Sequence, residues 1–116
     1  MKKITQTLVL VSMVVMLAAF QIIKTQLTIT IRDDLGNIVE GAKIRLFENE
    51  TDYKNEENAA AEGTTDAKGK AKFKDLKAIP YYILAEKDDK NNFGGGEQTG
   101  KLEANRINQV TVVIQE

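Results

Sequence analysis

At 116 residues, with 16 basic and 17 acidic side chains, 42% hydrophobic residues and neither cysteine nor histidine, the chain has the size and balance of one small domain. Lacking both residue types, it excludes thiol catalysis, disulfide staples, cysteine metal sites and the usual physiological acid–base group. The near-neutral charge argues against nucleic acid, whose phosphates demand clustered Lys and Arg.

The chain opens with Lys2 and Lys3 ahead of an apolar run, Leu8 to Phe20, too short for the roughly 20 residues that cross a bilayer as a helix. A basic flank, a short apolar stretch and the small residues Ala18 and Ala19 predict a signal peptide over residues 1–26. The alternative is an uncleaved anchor extended through Ile22 and Ile23, with Lys24 at its far end. Either reading makes the protein exported: periplasmic, outer-membrane-associated or secreted. Without Lys2, Lys3 and Lys24, the remaining domain, residues 27–116, holds 13 basic against 17 acidic residues, a net charge of −4.

Gln26 to Arg32 alternates Leu27, Ile29 and Ile31 against Thr28, Thr30 and Arg32, the period of two that makes a strand with one buried face. A turn follows, with Asp34 and Gly36 as its structural residues, and Gly41 leads into a strand from Ala42 to Phe47. Phe47 falls on the polar side of that strand, placed to cover an edge or the loop beyond it. Glu48 to Gly63 is polar and reads equally as a helical turn, a loop or a ragged edge strand, with Tyr53 as its one anchor. The stretch Thr64 to Phe73 then sets an extended approach, an Asp66-to-Gly69 turn, and a strand with Ala71 and Phe73 inward and Lys70, Lys72 and Lys74 outward. This strand is expected at the centre of the fold, with most other segments as its partners.

Leu76 and Ile79 are expected under the sheet and Pro80 ends their connection. Tyr81 to Lys87 carries apolar groups on both faces and predicts a central strand. Asp88 to Gly96 has the composition of a mobile loop, Gln98 to Glu103 suggests a short strand around Leu102, and Gln109 to Gln115 closes the chain as a strand. The whole reads as all-β: a small sandwich of about seven antiparallel strands, preceded by an N-terminal signal helix.

The run Asp34-Leu35-Gly36-Asn37-Ile38-Val39-Glu40-Gly41-Ala42, followed by Thr65-Asp66-Ala67-Lys68-Gly69 and later Tyr81-x-Ile83-x-Ala85, resembles the signatures of carboxypeptidase regulatory-like domains. The resemblance spans roughly Leu27 to Ile114 and implies the transthyretin-like (prealbumin-like), Ig-like sandwich. Ala78-Ile79-Pro80 departs from it where the family carries Gly. It further implies a non-catalytic module in a bacterial envelope, with signature residues that shape turns. Fold-sharing hydrolases of urate breakdown depend on His, which this chain lacks.

Candidate sites each have a plainer reading. Asp88, Asp89, Asn91 and Asn92 supply oxygen ligands for Ca²⁺, but they lack the alternating spacing of a calcium loop and Lys90 interrupts them. Glu48, Glu50, Asp52, Glu56 and Glu57 form either a cationic-partner patch or a wet loop. Tyr53, Tyr81, Tyr82 and Phe93 offer rings for a sugar, although Tyr81 and Tyr82 point to opposite faces. Phe47, Tyr82, Leu84 and Val113 are apolar on nominally outer faces, and form a docking patch unless a second layer covers them. The expectation is an accessory or protein-interaction subunit, not an enzyme, that needs no cofactor or metal. Its partner is an envelope or outer-membrane protein; the alternative is a carbohydrate-binding module.

Overall fold

The computed structural model describes residues 24–94 and 96–116. The expected export segment lies outside them except for Lys24, Thr25 and Gln26. Among the described residues, seven strands and one short helix follow in the order β1 (Gln26–Asp33), β2 (Lys43–Phe47), α1 (Glu50–Asn55), β3 (Ala61–Thr64), β4 (Lys70–Phe73), β5 (Tyr82–Lys87), β6 (Lys90–Asn91) and β7 (Ile107–Ile114). They form a β-sandwich: a three-stranded sheet ordered β4-β1-β7 faces a four-stranded sheet ordered β3-β2-β5-β6.

The alternating residues meet between the sheets. Leu27, Ile29 and Ile31 of β1, Ala71 and Phe73 of β4, and Val112 and Ile114 of β7 are buried against Ile44 and Leu46 of β2 and Ile83 and Ala85 of β5. Leu76 and Ile79 pack at the margin of this core, and Leu102 closes it from a segment that is coil rather than the expected strand. Leu102 enters as a single apolar plug; among the described residues the pairing nearby is an isolated bridge from Gln98 to Tyr82.

Three other expectations change. The strand after Gly69 is an edge with one partner, and β1 is the strand flanked on both sides. Not every pairing is antiparallel: β1 and β7 run parallel, from Gln26 opposite Ile107 to Asp33 opposite Ile114. A parallel pair needs a long crossover, and here the whole of the rest of the domain lies between its two members. Asp88 to Gly96 is in part a hairpin, because β6 pairs antiparallel with β5. Asn92 behind it is 1% exposed, with its side chain accepting from Ala85 N–H and donating to the Ile83 carbonyl.

Two turns of one design hold the sheets in register. Asp33 Oδ1 accepts from the N–H groups of Leu35 (3.0 Å) and Asn37 (2.9 Å), and Gly36 N–H closes on the Asp33 carbonyl. Asp66 Oδ1 accepts from Lys68 (2.9 Å) and Lys70 (3.1 Å), and Gly69 N–H closes on the Asp66 carbonyl. The carboxylate that holds the first turn is that of Asp33, two and four residues before the N–H groups it accepts from, as Asp66 is in the second turn; Asp34, the residue expected in that role, lies within the turn itself. Thr65 adds a latch beneath them, accepting from Ala42 N–H at 2.9 Å and donating to the Val39 carbonyl at 2.7 Å.

The polar stretch after β2 becomes both a helix and an edge strand. Asn49 caps α1 by accepting from Asp52 N–H at 2.8 Å, and Glu56 ends it in the left-handed conformation at φ 53°. The helix lies over the outer face of the four-stranded sheet and lowers Tyr53 onto Phe47 and Leu84, giving a second small core edged by Ala59 and Tyr82. Tyr53 meets Phe47 edge-on at 6.0 Å and lies 5.6 Å from Tyr82. Its hydroxyl is buried beside Glu97 without a hydrogen bond of good geometry. Burial first, and then the Glu97 charge, push it up to about 12.

Gly69 sits at φ +73°, and a Cβ there would lie 3.0 Å from Ile38 Cβ and 3.1 Å from the Ile31 carbonyl oxygen. Gly36, at φ +88°, would meet nothing within 4 Å. Gly69→Ala is expected to destabilise by about 2 kcal/mol or more, and Gly36→Ala by about 1 kcal/mol, in urea denaturation of the two variants.

The pH dependence has two limbs. The Asn37 and Leu35 N–H groups hold the Asp33 carboxyl below the usual carboxylate range, and those of Lys70 and Lys68 do the same for Asp66. Both groups bind protons more readily when unfolded. Their contribution is complete above the ordinary carboxylate pKa and is lost as pH falls through the lowered folded values. Tyr53 has the opposite displacement, so its contribution is complete below pH ~10 and is lost as pH rises towards 12. Tyr53→Phe is expected to leave neutral stability unchanged or slightly higher, since the lost hydroxyl has no partner, and to flatten the alkaline limb of a Tm-versus-pH curve. An unchanged alkaline limb would contradict this.

Candidate functional site

The four residues expected as a docking patch are not together. Phe47 and Leu84 are 0% and 1% exposed in the second core, and Tyr82 is half-buried at its margin. Val113 is 40% exposed on the outer face of the other sheet. Alternation put the first three on an outer face correctly; α1 covers that face. The cover was signalled by Asn49-x-x-Asp52, a capping pair ahead of a lone aromatic.

The aromatic set is likewise divided. Tyr81 belongs to the main core, where its hydroxyl accepts from Lys77 N–H at 3.0 Å. Tyr53 is enclosed by Phe47, Tyr82 and Phe93, and of these rings Phe93 is the exposed one, at 54%. In the Asp88 to Asn92 loop, two oxygen donors are already committed: Asn91 Oδ1 to Phe93 N–H and Asn92 Oδ1 to Ala85 N–H. In the acidic segment, Glu56 joins Glu86 on the Arg45 guanidinium, Glu50 pairs with Lys54, and Glu48 with Lys77. Glu56 and Glu86 hold the Arg45 proton more firmly than usual, with the hydrogen bond from Arg45 to Glu56 the main cause. Through Arg45, whose guanidinium lies 5.9 Å from the centre of the Phe47 ring, Glu56 and Glu86 border the second core.

Among the described residues, the outer face of the three-stranded sheet and its β4 and β7 edges remain open. Along β1 that face shows Thr28, Thr30 and Arg32. Lys72 and Lys70 of β4 stand beside the two threonines, and Gln109, Thr111 and Val113 of β7 stand beside all three β1 residues in turn. Lys68 and Lys74 continue the lysine row at either end. Lys68, Lys70, Lys72 and Lys74 line a concavity of about 600 Å³ with Gln26, Thr28, Ile107, Gln109 and the Asp66–Ala67 turn. The three strands bring no acidic side chain to this face; Asp66 lies at its rim with its carboxylate bound to turn N–H groups.

The two edges of this sheet differ. On β4, pairing of Ala71 with Ile29 and Phe73 with Leu27 turns the remaining backbone groups outward at Lys70 and Lys72, so charge guards the edge. On β7, the Arg106 carbonyl accepts from Gln26 N–H while Gln115 exchanges both its groups with Asn91. By alternation, Ile107, Gln109, Thr111 and Val113 turn N–H and C=O away from β1. That edge, in the eight-residue strand INQVTVVI, carries no charge and no proline.

No protein-family model matches the chain, and no curated protein matches it. Among solved structures, it is similar to the Bacillus anthracis TIE protein, with a TM-score of 0.56 at 22% identity over 79% of this chain and 17% of that one. It is also similar to the group B streptococcus pilus 2b backbone protein, with a TM-score of 0.49 at 22% identity over 78% of this chain and 40% of that one. The chain thus spans well under half the length of either protein. The likeness to the first is one of fold: a β-sandwich with its core between two sheets.

Proposed function

We propose that this is a non-catalytic, exported β-sandwich module of the carboxypeptidase regulatory-like kind, serving as an accessory or protein-interaction subunit in the bacterial cell envelope. The observation that carries the reading is the edge of β7 that no described residue pairs: eight residues, six of them β-branched, with a row of outward backbone groups and no gatekeeping charge. Such an edge accepts an added strand from a partner through main-chain hydrogen bonds, while Ile107 and Val113 beside it, 58% and 40% exposed, give apolar contact. The basic, short-apolar N-terminus supports export, and the fold likeness to part of a larger bacterial protein is consistent with a module. The core supports a structural role, since its buried side chains are almost entirely apolar.

The two faces of β7 make the reading testable with proline, which removes one N–H. Thr111→Pro deletes an outward N–H, so the ladder to β1 stays complete and the fold is retained. Val110→Pro deletes an inward one and is expected to cost about 3 kcal/mol. A photo-crosslinking residue at Gln109, in the native host, is expected to give one discrete protein adduct in the envelope fraction that disappears in the Thr111→Pro background. The same probe at Thr51 on α1 is expected to give none. Absence of an adduct at Gln109, or its persistence in the Thr111→Pro variant with the fold intact, would refute strand addition at this edge.

A further inference from the structure

We infer that the lysine-lined face of the three-stranded sheet is a binding site for a linear phosphodiester polymer of short polyol repeats. The inference rests on the side chains of β4 and of the sheet face, not on the open backbone groups of the β7 edge. Lys70 and Lys72 of β4 stand two residues apart on the extended edge, which sets their side chains about 7 Å apart, and Lys68 of the Asp66 turn and Lys74 just past β4 line the same concavity at its two ends. A short polyol between successive phosphates spaces the charges of an extended polymer at a similar interval, so one ammonium can meet each phosphate along the groove.

None of these four lysines forms an ion pair among the described residues, whereas Lys54 and Lys77 are held by Glu50 and Glu48 at 2.8 and 2.9 Å. Lysines that only guard an edge would be satisfied by water. Here the cationic row is backed by a floor of neutral donors and acceptors, Thr28 and Thr30 of β1 and Gln109 and Thr111 of β7, in register with Lys72 and Lys70. Hydroxyl and amide groups of this kind suit the free hydroxyls and ester oxygens of a polyol phosphate. They offer no flat aromatic surface on which a nucleobase would stack. At the far end Asp75, the nearest acid in sequence, is paired with Lys24 at 3.6 Å.

The complementarity is hidden in the net charge: Asp66 at the rim is bound to turn N–H groups and Asp75 is paired with Lys24, while a group of five acids lies elsewhere. Glu48, Glu50, Asp52, Glu56 and Glu57 lie on or beside α1, which covers the outer face of the opposite sheet. An anionic chain is therefore attracted to one side of the sandwich and repelled from the other.

The experiment uses the protein as isolated from its host and a fluorescent glycerol-phosphate oligomer, with affinity read by anisotropy at low and moderate NaCl. Binding is expected to weaken with salt at a slope of about −3 in log K against log[NaCl], as four neutralised phosphates would give. Lys70→Gln/Lys72→Gln is expected to weaken it on the order of tenfold and to roughly halve the slope. Lys54→Gln/Lys77→Gln makes the same change in net charge on the other side, and is expected to alter affinity by less than about twofold. Circular dichroism of both doubles checks that they fold. Equal losses in the two doubles, or no binding at low salt, would overturn the site. Poly-L-glutamate of matched charge binding as tightly would overturn the phosphodiester assignment in favour of an acidic polypeptide. Oligothymidylate binding more tightly than the glycerol phosphate would overturn it in favour of nucleic acid.

Discussion

The architecture depends on the close approach of two backbones at Gly69. Ile31, at the centre of the three-stranded sheet, donates its N–H to the Gly69 carbonyl and accepts at its own carbonyl from Val39. Both neighbours reach it because residue 69 has no side chain: a Cβ would stand 3.1 Å from the Ile31 oxygen and 3.3 Å from the Val39 nitrogen. Through this point the Asp66 turn, the end of β1 and the approach to β2 are fixed against one another. Thr65, one residue before the turn, ties the same approach to β3 by exchanging hydrogen bonds with Ala42 and Val39. The Thr65-Asp66-x-x-Gly69 stretch thus joins the two sheets even though the strand it launches is only an edge.

Much of this arrangement was legible in the residues. Period-two alternation in Leu27-Thr28-Ile29-Thr30-Ile31 and in Tyr81-Tyr82-Ile83-Leu84-Ala85 identified which side chains are buried together, because a pleated strand gives a residue no other choice of face. What alternation does not encode is the neighbour. Nothing in Gln109 to Gln115 distinguishes a parallel from an antiparallel partner, so β7 beside β1 in the same direction was not readable. Asp33 and Asp34 are equivalent by type; the choice between them rests on which carboxylate faces the N–H groups of Leu35 and Asn37. Asn92 read as loop because its composition is that of a loop, and its burial follows from a backbone arrangement, two β5 groups left unpaired, that no local pattern announces.

The candidate surfaces fared differently for the same reason. Phe47, Tyr82 and Leu84 were correctly assigned outward from their strand, but a six-residue helix is enough to turn that outer face into an interior. The lysine row was visible as a strand's wet side. Its continuation into Thr28, Thr30, Gln109 and Thr111 exists only once the register of three separate strands is known. Composition concealed it further: with 16 basic against 17 acidic residues, the sum gives no hint that four lysines share one concavity while the acids around α1 are paired with Arg45, Lys54 and Lys77.

The parallel pairing of β1 with β7 also decides how the domain answers to force. The two strands lie side by side in the same sense, so the chain enters beside Gln26 and Ile107 and leaves beyond Asp33 and Ile114, at the other end of the ladder. A pull between Lys24 and Glu116 slides one strand along the other and strains every rung at once; the rungs cannot open singly from one end, as those of a hairpin do. Because forced unfolding is governed by the height of the unfolding barrier rather than by equilibrium stability, this placement gives mechanical toughness to a sandwich that has no disulfide to supply it.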